Sequence, residues 1–183
     1  MARPISKEAI LDAAEAIVCE EGAARMTLDG VAERAQVSKG GLMYSFPTKA
    51  ALLQGMIGRL IENTEKMRER IREEHAGAPL SELEIEIRLL EAMDEQESRP
   101  AAALLAAVAN QPDLMEPFRD ELRKRCTERL QTGGEADRSV ILYLAALGLH
   151  LSGLLNIPLY EAERRKLIFE RLRRLAADPT EQI

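Results

Sequence analysis

The chain has 183 residues, a formal net charge of −6 and a 46% share of hydrophobic residues. This length suits one domain of ordinary size, or a small module joined to a larger one, and the apolar share allows a sizeable core. Only 3% of the residues are aromatic and none is Trp, so the core must be aliphatic. The acidic balance excludes a uniformly basic nucleic-acid-binding chain but is compatible with a local basic patch.

Charges are unevenly spread along the chain. The acidic runs around Glu20–Glu21, Glu82–Glu86 and Asp94–Glu97 are typical of solvated helix faces, and we expect no function for them. Segment 22–49, in contrast, holds four basic residues against two acidic ones. A positive patch is therefore expected there.

The cysteines indicate neither a disulfide framework nor a metal site. Cys19 and Cys126 lie among helix-forming residues, with no Cys or His at a metal-binding spacing. We expect buried, inert thiols, and we predict no metal and no other cofactor. A polar N-terminus without a signal peptide and the absence of disulfides favour a cytoplasmic location.

The predicted elements are all helical, about nine in number, with no convincing strand. A first helix is expected over about 6–21, with Ser6 as its N-cap and Gly22 as its end, because apolar residues recur at helical spacing. Two short helices follow over about 27–35 and 38–45.

A long helix is predicted over about 48–75, after the break at Phe46-Pro47. Beyond Pro79, Ser81 and Glu84 form a capping-box signature. Leu83 to Leu89 alternate like a strand, but the capping box and the surrounding helix formers favour a helix. Further helices are predicted over about 99–110, 114–131, 136–156 and 161–176.

Segment 139–160 imitates a membrane span. It runs 22 residues without Asp, Glu, Lys or Arg, which is long enough to cross a bilayer. His150, Ser152 and Asn156 interrupt its apolar character, and the rest of the chain is amphipathic. We therefore favour a buried core or interface helix and expect no membrane.

Residues 27–49 carry the pattern that points to function. Two short helices joined by a tight turn, with a third packed on them, form a helix-turn-helix whose second short helix enters the major groove. A plain helical corner shows similar spacing, so this pattern alone leaves both interpretations open. The residues that can face duplex DNA are Thr27, Ser38, Lys39, Gly40, Gly41, Met43, Tyr44, Ser45, Thr48 and Lys49.

These residues have separate expected roles. Lys39 and Lys49, with the hydroxyls of Thr27 and Tyr44, suit phosphate contacts, and the helix start capped by Thr48 also favours phosphate. Two alternative interpretations remain. Lys39 is then only a solubilising charge, and Tyr44 is a core ring with its hydroxyl at the surface.

The N-terminal 55 residues resemble the TetR family of bacterial transcription regulators. The match is close over about residues 5–55, and beyond residue 60 it rests only on helix count and length. The resembling residues are Ile10-Leu11-Asp12-Ala13-Ala14, Gly22, Thr27, Val31-Ala32, Ala35, Val37-Ser38-Lys39-Gly40, Leu42, Tyr44, Phe46, Lys49 and Leu52-Leu53.

The resemblance implies an all-α homodimer with a DNA-binding helix-turn-helix domain, expected over 1–50. It further implies a ligand-sensing and dimerisation domain over 51–183, and a repressor that a small-molecule effector releases from its operator. A two-fold dimer requires a palindromic operator.

This sequence departs from the family pattern in the turn and the reading helix. Gln36 stands where such proteins often have Gly, and a positive φ there would cost roughly 1 kcal/mol. Gly41 leaves that position bare, so we expect Met43 and Ser45 to carry more of the base contact.

Apolar residues beyond position 55 exceed what a thin bundle needs, although most of them suit an ordinary core. A pocket for an apolar or amphipathic effector is expected around Met56, Leu60, Met93, Leu104, Val108, Phe118, Leu147 and His150. His150 suits either a ligand contact or, more readily, a core histidine bonded to the backbone.

The last two helices are the expected dimer interface, because the helix at 136–156 is apolar all round and the next one carries an apolar stripe. The expected interface residues are Leu151, Gly153, Ile168, Leu172 and Leu175.

Two other classes of protein compete with a DNA-binding regulator. An enzyme is not expected, because there are only two histidines and no readable nucleophile–base set, phosphate loop or metal cluster. A helical ligand-binding or scaffold protein without DNA contact is the remaining alternative.

Overall fold

The computed structural model describes residues 6–95, 99–108, 112–129, 136–157, 159–178 and 180–181. These residues form nine α-helices and one π-helical segment, without a strand. The all-α prediction is confirmed. The helices are α1 (Lys7–Glu21), α2 (Leu28–Arg34), α3 (Lys39–Ser45), α4 (Lys49–Glu74), α5 (Glu82–Glu95), α6 (Arg99–Val108), α7 (Pro112–Lys124), α8 (Ala136–Leu154) and α9 (Ala162–Ala177), and the π-helical segment Arg125–Arg129 follows α7.

The helices begin where the sequence supplies caps. Ser6 Oγ accepts from the Ala9 amide at 3.4 Å, and Gly22 ends α1 with a φ of 82°. The capping box that favoured a helix for α5 is present. The Ser81 amide donates to the Glu84 carboxylate at 2.9 Å, and the Glu84 amide donates to Ser81 Oγ at 3.3 Å.

The chain divides into two compact units. One takes in Met1–Ile61 and Arg99–Phe118, and the other takes in Glu62–Ser98 and Arg119–Ile183. The unbroken helix α4 contributes residues to both. The proposed domain boundary near residue 50 remains a prediction.

The first unit has one aliphatic core. Its buried residues come from α1, α2, α3, the first half of α4, α6 and the start of α7, and they include Ile10, Ala14, Val31, Leu42, Leu52, Met56, Leu104, Val108 and Leu114. Each helix therefore turns its apolar stripe inward, and the short helices α2 and α3 are stabilised by this packing rather than by their own length.

The second unit has two apolar clusters. The larger joins α5, α8 and α9 through residues that include Leu83, Ile87, Leu90, Leu142, Tyr143, Ala146, Phe169, Leu172 and Leu175. The smaller contains Ile71, Ile85 and Leu89.

Segment 139–160 contains α8 over most of its length. No helix among the described residues is long and apolar enough to cross a bilayer.

Two expectations about polar residues are wrong. Cys19 is exposed and Cys126 is half-buried, so only Cys126 has the shielded environment that we expected, and burial raises the pKa of its thiol. Glu86 and Asp94 are not on solvated faces, because Glu86 is 0% exposed and the Asp94 side chain 15% exposed. Within these acidic runs, Glu86 and Asp94 point inward and pair with arginines.

Candidate nucleic-acid interface

Helices α2 and α3 each begin at a capping residue, and a short turn joins them. Thr27 Oγ1 accepts from the Gly30 amide at 3.1 Å, and Ser38 Oγ accepts from the Gly41 amide at 3.1 Å. Between them Gln36 has a φ of 56°, the left-handed conformation that glycine adopts at lower cost. The amide of Val37 donates to the Ala32 carbonyl at 3.0 Å and closes the turn.

Helix α3 is anchored on one side and open on the other. Leu42 is 0% exposed in the core of the first unit, and Phe46 just beyond the helix is also buried. Tyr44 is 92% exposed and Met43 42% exposed. The alternative interpretation of Tyr44 as a core ring is therefore wrong, and a short helix presents its large side chains to solvent.

The remaining predicted contact residues surround these two. Thr27, Ser38, Lys39, Gly40 and Thr48 are exposed, whereas Gly41, Ser45 and Lys49 are half-buried. Thr48 Oγ1 accepts from the Ala51 amide at 3.0 Å, so it caps the first turn of α4 as predicted.

Both lysines of the predicted interface have partners within the chain. Lys39 Nζ lies 2.8 Å from Asp29 Oδ1, in an ion pair whose two side chains are more than 60% exposed. Exposed pairs contribute about 0–1 kcal/mol, so Lys39 can exchange this carboxylate for a phosphate at small cost. Lys49 Nζ instead donates to the carbonyls of Ala23 and Ala24, at 2.6 and 3.3 Å.

Arginines tie α1 to its neighbours within the same unit. Arg59 on α4 pairs with Asp12 at 2.5 Å and with Glu15 at 2.6 Å, and Arg34 on α2 pairs with Glu20 through two hydrogen bonds. These pairs connect the supporting helices and leave α3 unobstructed.

The residues expected to line a pocket do not fall in one unit. Met56, Leu104 and Val108 are core residues of the first unit, with Phe118 packed against them and Leu60 half-buried in the same unit. Met93, Leu147 and His150 belong to the second unit. A pocket built from these residues remains a prediction.

His150 lies in a polar site on the inner side of α8. It is 5% exposed, and its Nδ1 makes no hydrogen bond with any residue that the structure describes, so the backbone-bonded alternative is wrong for that nitrogen. Asp94 Oδ1 lies 3.9 Å away. Burial lowers the pKa of His150, the nearby Arg165 lowers it further, and Asp94 opposes both effects.

Two of the expected interface residues, Leu172 and Leu175 on α9, lie in the core of a single chain, and the interface itself remains a prediction. Leu172 and Leu175 are 7% and 4% exposed within a single chain, and Ile168 packs against the same core. These side chains therefore stabilise the second unit itself. A Cβ added at Gly153 would lie 2.6 Å from Arg165 Nη2, so this glycine permits a close approach inside the chain.

The apolar surface of the second unit lies elsewhere. Leu151, the remaining expected residue, is 36% exposed and lies at helical spacing with Ile141 and Leu144 on α8 and with Leu155 just after it, which together form an exposed stripe. The sequence shows α8 as apolar all round, and only the fold separates its covered face from this one. Further exposed apolar side chains follow the helix along the chain, namely Ile157, Leu159, Tyr160 and, on α9, Leu167.

Sequence reasoning missed a buried ionic cluster in the second unit. Arg68 on α4 donates from Nε to Glu86 Oε1 on α5 at 2.9 Å, with both side chains 0% exposed. Arg125, in the π-helical segment, lies 3.9 Å from the other oxygen of Glu86. An apolar helix face interrupted by a single Glu was the available signal, because a buried charge requires a partner.

The fold and this surface define a helix-turn-helix protein: two short capped helices, a tight turn, and a second helix that projects its side chains outward. A family model described as "Bacterial regulatory proteins, tetR family" matches residues 10–56, and one described as "Tetracyclin repressor-like, C-terminal domain" matches residues 86–177. The two matches together span more than half of the chain. The chain belongs to the TetR family of bacterial regulatory proteins, and it is a DNA-binding transcription regulator, not an enzyme.

Solved structures with this fold cover nearly the whole chain. A transcriptional regulator from Streptomyces coelicolor A3(2) is 25% identical over 94% of this chain and 98% of its own, with a TM-score of 0.64. A transcriptional regulator from Rhodococcus sp. Rha1 is 23% identical over 97% and 99%, with a TM-score of 0.68. NalD, described as the secondary repressor of the MexAB-OprM multidrug efflux pump in Pseudomonas aeruginosa, is 22% identical over 92% and 94%, with a TM-score of 0.64. No curated protein matches the chain.

Proposed function

We propose that this protein is a homodimeric repressor that binds a palindromic operator and is released from it by a small apolar or amphipathic effector. The observation that carries the DNA part is helix α3, which buries Leu42 and leaves Tyr44 92% exposed. A large aromatic side chain gains nothing from such exposure in the unbound protein, and it suits a contact with the duplex.

Within this proposal α3 reads bases and its surroundings hold the backbone. Met43 and Ser45 contact base edges, while Lys39 and the hydroxyls of Thr27 and Tyr44 bind phosphates. The caps Ser38 and Thr48 fix the ends of the elements that carry them, and Gly40 and Gly41 allow the backbone to approach the groove closely.

A second copy of the chain is the proposed occupant of the exposed α8 stripe. Three α8 side chains, Ile141, Leu144 and Leu151, and Leu155 just after the helix are each at least 36% exposed at helical spacing, and further exposed apolar residues follow along the chain. Isolated apolar residues are common on surfaces, but a continuous patch marks an interaction site. Two copies related by a two-fold axis would cover one another's stripe and give paired DNA half-sites.

The proposed effector site lies in the second unit, around His150, Leu147 and Met93. Leu147 packs against the larger apolar cluster and Met93 against the smaller one, and the buried Nδ1 of His150, beside Asp94, offers one hydrogen-bonding atom. NalD, which has a similar fold, is described as the secondary repressor of a multidrug efflux pump, and this supports the repressor part of the proposal. Helix α4 runs unbroken from Lys49 to Glu74 and is the proposed lever between effector and DNA. A coupling of about 1–3 kcal/mol would lower operator affinity about 5- to 150-fold.

The DNA part is tested by binding the protein to random duplex and to fragments of the genome that encodes it. We expect some fragments to bind far more tightly than random duplex. Lys39→Gln should weaken binding to all sequences and reduce the salt slope by about one per subunit. Lys66→Gln is the matched control, because Lys66 is equally exposed at 61% and pairs with Glu62 as Lys39 does with Asp29.

The outcomes separate the competing functions. If no fragment binds better than random duplex at low salt, the protein is a ligand-binding or scaffold protein without DNA contact. If a compound binds tightly and leaves operator affinity unchanged, the switching part of the proposal fails while the DNA part stands.

A further inference from the structure

Five basic residues lie between positions 22 and 61, all within the described part of the first unit, and four of them are already engaged. Arg34, Lys39 and Arg59 pair with carboxylates, and Lys49 donates to main-chain carbonyls. Arg25 is exposed and makes no ion pair or side-chain hydrogen bond with any residue that the structure describes. A lone exposed cation in a DNA-binding module is available for a phosphate without first breaking another contact.

The position of Arg25 is defined by the contact that Lys49 makes. The turn from Gly22 to Met26 joins α1 to α2, and the Arg25 amide donates to the Gly22 carbonyl at 3.1 Å. Lys49 Nζ, at the first residue of α4, donates to the carbonyls of the two residues that precede Arg25, at 2.6 and 3.3 Å. This ammonium group thus fastens the turn to the start of the helix that follows α3.

These contacts place Arg25 beside both ends of the helix-turn-helix. Thr27, two residues later, caps α2, and Lys49 lies four residues after the last residue of α3. Phosphate contacts in this architecture flank the reading helix, where they set its register on the duplex.

We propose that Arg25 is a phosphate-binding residue of the DNA interface and that Lys49 is a positioning residue, which holds the turn carrying Arg25 instead of binding phosphate itself. This inference rests on the proposed DNA-binding function. It reassigns the phosphate contact that the sequence pattern gives to Lys49.

The two roles are separated by two substitutions at one position. Lys49→Met removes both the charge and the donor, whereas Lys49→Gln removes the charge but keeps N–H groups that can reach a carbonyl. If Lys49 positions the turn, the Gln variant retains nearly the wild-type salt slope, and the Met variant behaves like Arg25→Gln. If Lys49 binds phosphate, the Gln and Met variants should both show the same reduction of the salt slope.

The measurement is fluorescence anisotropy with random duplex across a range of salt concentrations. Arg25→Gln should lower the salt slope by about 0.9 per subunit, which corresponds to roughly an eightfold loss of affinity per contact at 0.1 M salt. The double variant Arg25→Gln/Lys49→Met should bind no more weakly than Arg25→Gln alone, because the second substitution disturbs a contact already lost. Arg70→Gln is the control, since Arg70 is an exposed arginine of the second unit, and it should change neither quantity.

Folding is monitored by thermal unfolding, and the turn by hydrogen exchange of the Arg25 amide in the absence of DNA. Lys49→Met should accelerate that exchange, and Arg25→Gln should not. The inference is overturned if Arg25→Gln leaves the salt slope unchanged, or if the Arg25 and Lys49 effects add and Lys49→Gln weakens binding as much as Lys49→Met. Wild-type protein that binds no duplex at all would instead contradict the proposed function.

Discussion

The guanidinium of Arg165 on α9 holds the carboxylate of Asp94 on α5 through two hydrogen bonds, Nη2 to Oδ1 at 2.5 Å and Nε to Oδ2 at 3.2 Å. The same guanidinium donates to the Leu149 carbonyl at 2.8 Å and to Ser152 Oγ at 2.9 Å. One side chain therefore fastens α5, α8 and α9 together, and both charged partners are largely shielded from water. Removing only one partner of such a pair is costly in free energy, because the other charge is left buried without a partner.

Gly153→Ala should destabilise the protein by about 1–2 kcal/mol. The new Cβ would lie 2.6 Å from Arg165 Nη2 and 2.7 Å from Asp94 Oδ1, and overpacking exceeds the helix-propensity gain of the change. Gly58→Ala is the matched control, since nothing lies within 4 Å of its Cβ position, and it should be stabilising. Denaturant unfolding measures both. Equal and positive effects on stability would show that the Arg165–Asp94 pair moves aside freely.

Leu144→Glu and Leu155→Glu should convert the dimer to monomer without lowering the stability of the chain. Both side chains are more than half exposed in a single chain, so a charge is tolerated there unless a second copy covers it. Leu172→Ala provides the contrast, because truncating this buried side chain should lower the free energy of unfolding by about 2–5 kcal/mol. Sedimentation at micromolar concentration distinguishes these results. A wild-type chain that sediments as a monomer would refute the interface.

Gln36→Gly should stabilise the chain by roughly 0.5–1 kcal/mol. Gln36 has a φ of 56°, and a residue with a Cβ is disfavoured in that region by about 1–2 kcal/mol, part of which the flexible unfolded glycine offsets. The same chemical change at Gln54, inside α4, should instead destabilise by about 1 kcal/mol. We expect the melting temperature to rise for the change at Gln36 and to fall for the change at Gln54. A loss of stability at both positions would contradict a strained turn.

His150 should make stability depend on pH just below neutrality. Burial lowers the pKa of His150 from its ordinary value of 6.5, so the unfolded chain takes up the proton first as pH falls. Stability should therefore be constant above about pH 6.5 and decline below it, until the folded-state pKa is passed. The pKa values of Glu8, Glu20 and Asp178 are also lowered, from 4.5, 4.5 and 3.8, so their effect begins at lower pH.

His150→Leu tests this assignment by urea unfolding at pH 7.5 and pH 5.5. We expect the wild type to lose stability between these values and the variant to lose clearly less. An NMR titration that placed the folded-state pKa of His150 above 6.5 would reverse the sign and show that Asp94 prevails over burial.

Val108→Phe should act on the DNA-binding unit, although Val108 is one of the residues expected to line the effector pocket. From the sequence, this substitution is a way to fill an effector pocket while leaving DNA binding intact. The structure places Val108 at 0% exposure in the core that also contains α1 and α3 residues. We therefore expect Val108→Phe to disturb the DNA-binding unit itself, and the pocket is better probed through Leu147 in the second unit.

The helices could be predicted from local patterns in the sequence, and the DNA-binding motif from those patterns together with the family resemblance. Caps such as Ser6, Thr27 and Ser81 act on amides three residues away, and the inward stripes of α1 and α4 repeat at helical spacing, so both are local properties that a linear pattern preserves. The left-handed conformation of Gln36 could be anticipated only through the resemblance, because such proteins often have Gly at that position.

Which face of each helix meets a neighbour depends on packing between helices that are distant in the sequence. Leu172 and Leu151 are both apolar residues of late helices, yet one is in the core and the other is on the surface. Lys49 and Lys39 have the same charge, but Lys49 reaches two carbonyls 25 and 26 residues away along the chain. Glu86, Asp94 and their arginines are paired across helices, and no periodicity in the sequence encodes those pairings. Burial and partners depend on packing between distant segments, and this is why the helices and the motif could be predicted while the burial of Leu172 and the paired buried charges could not.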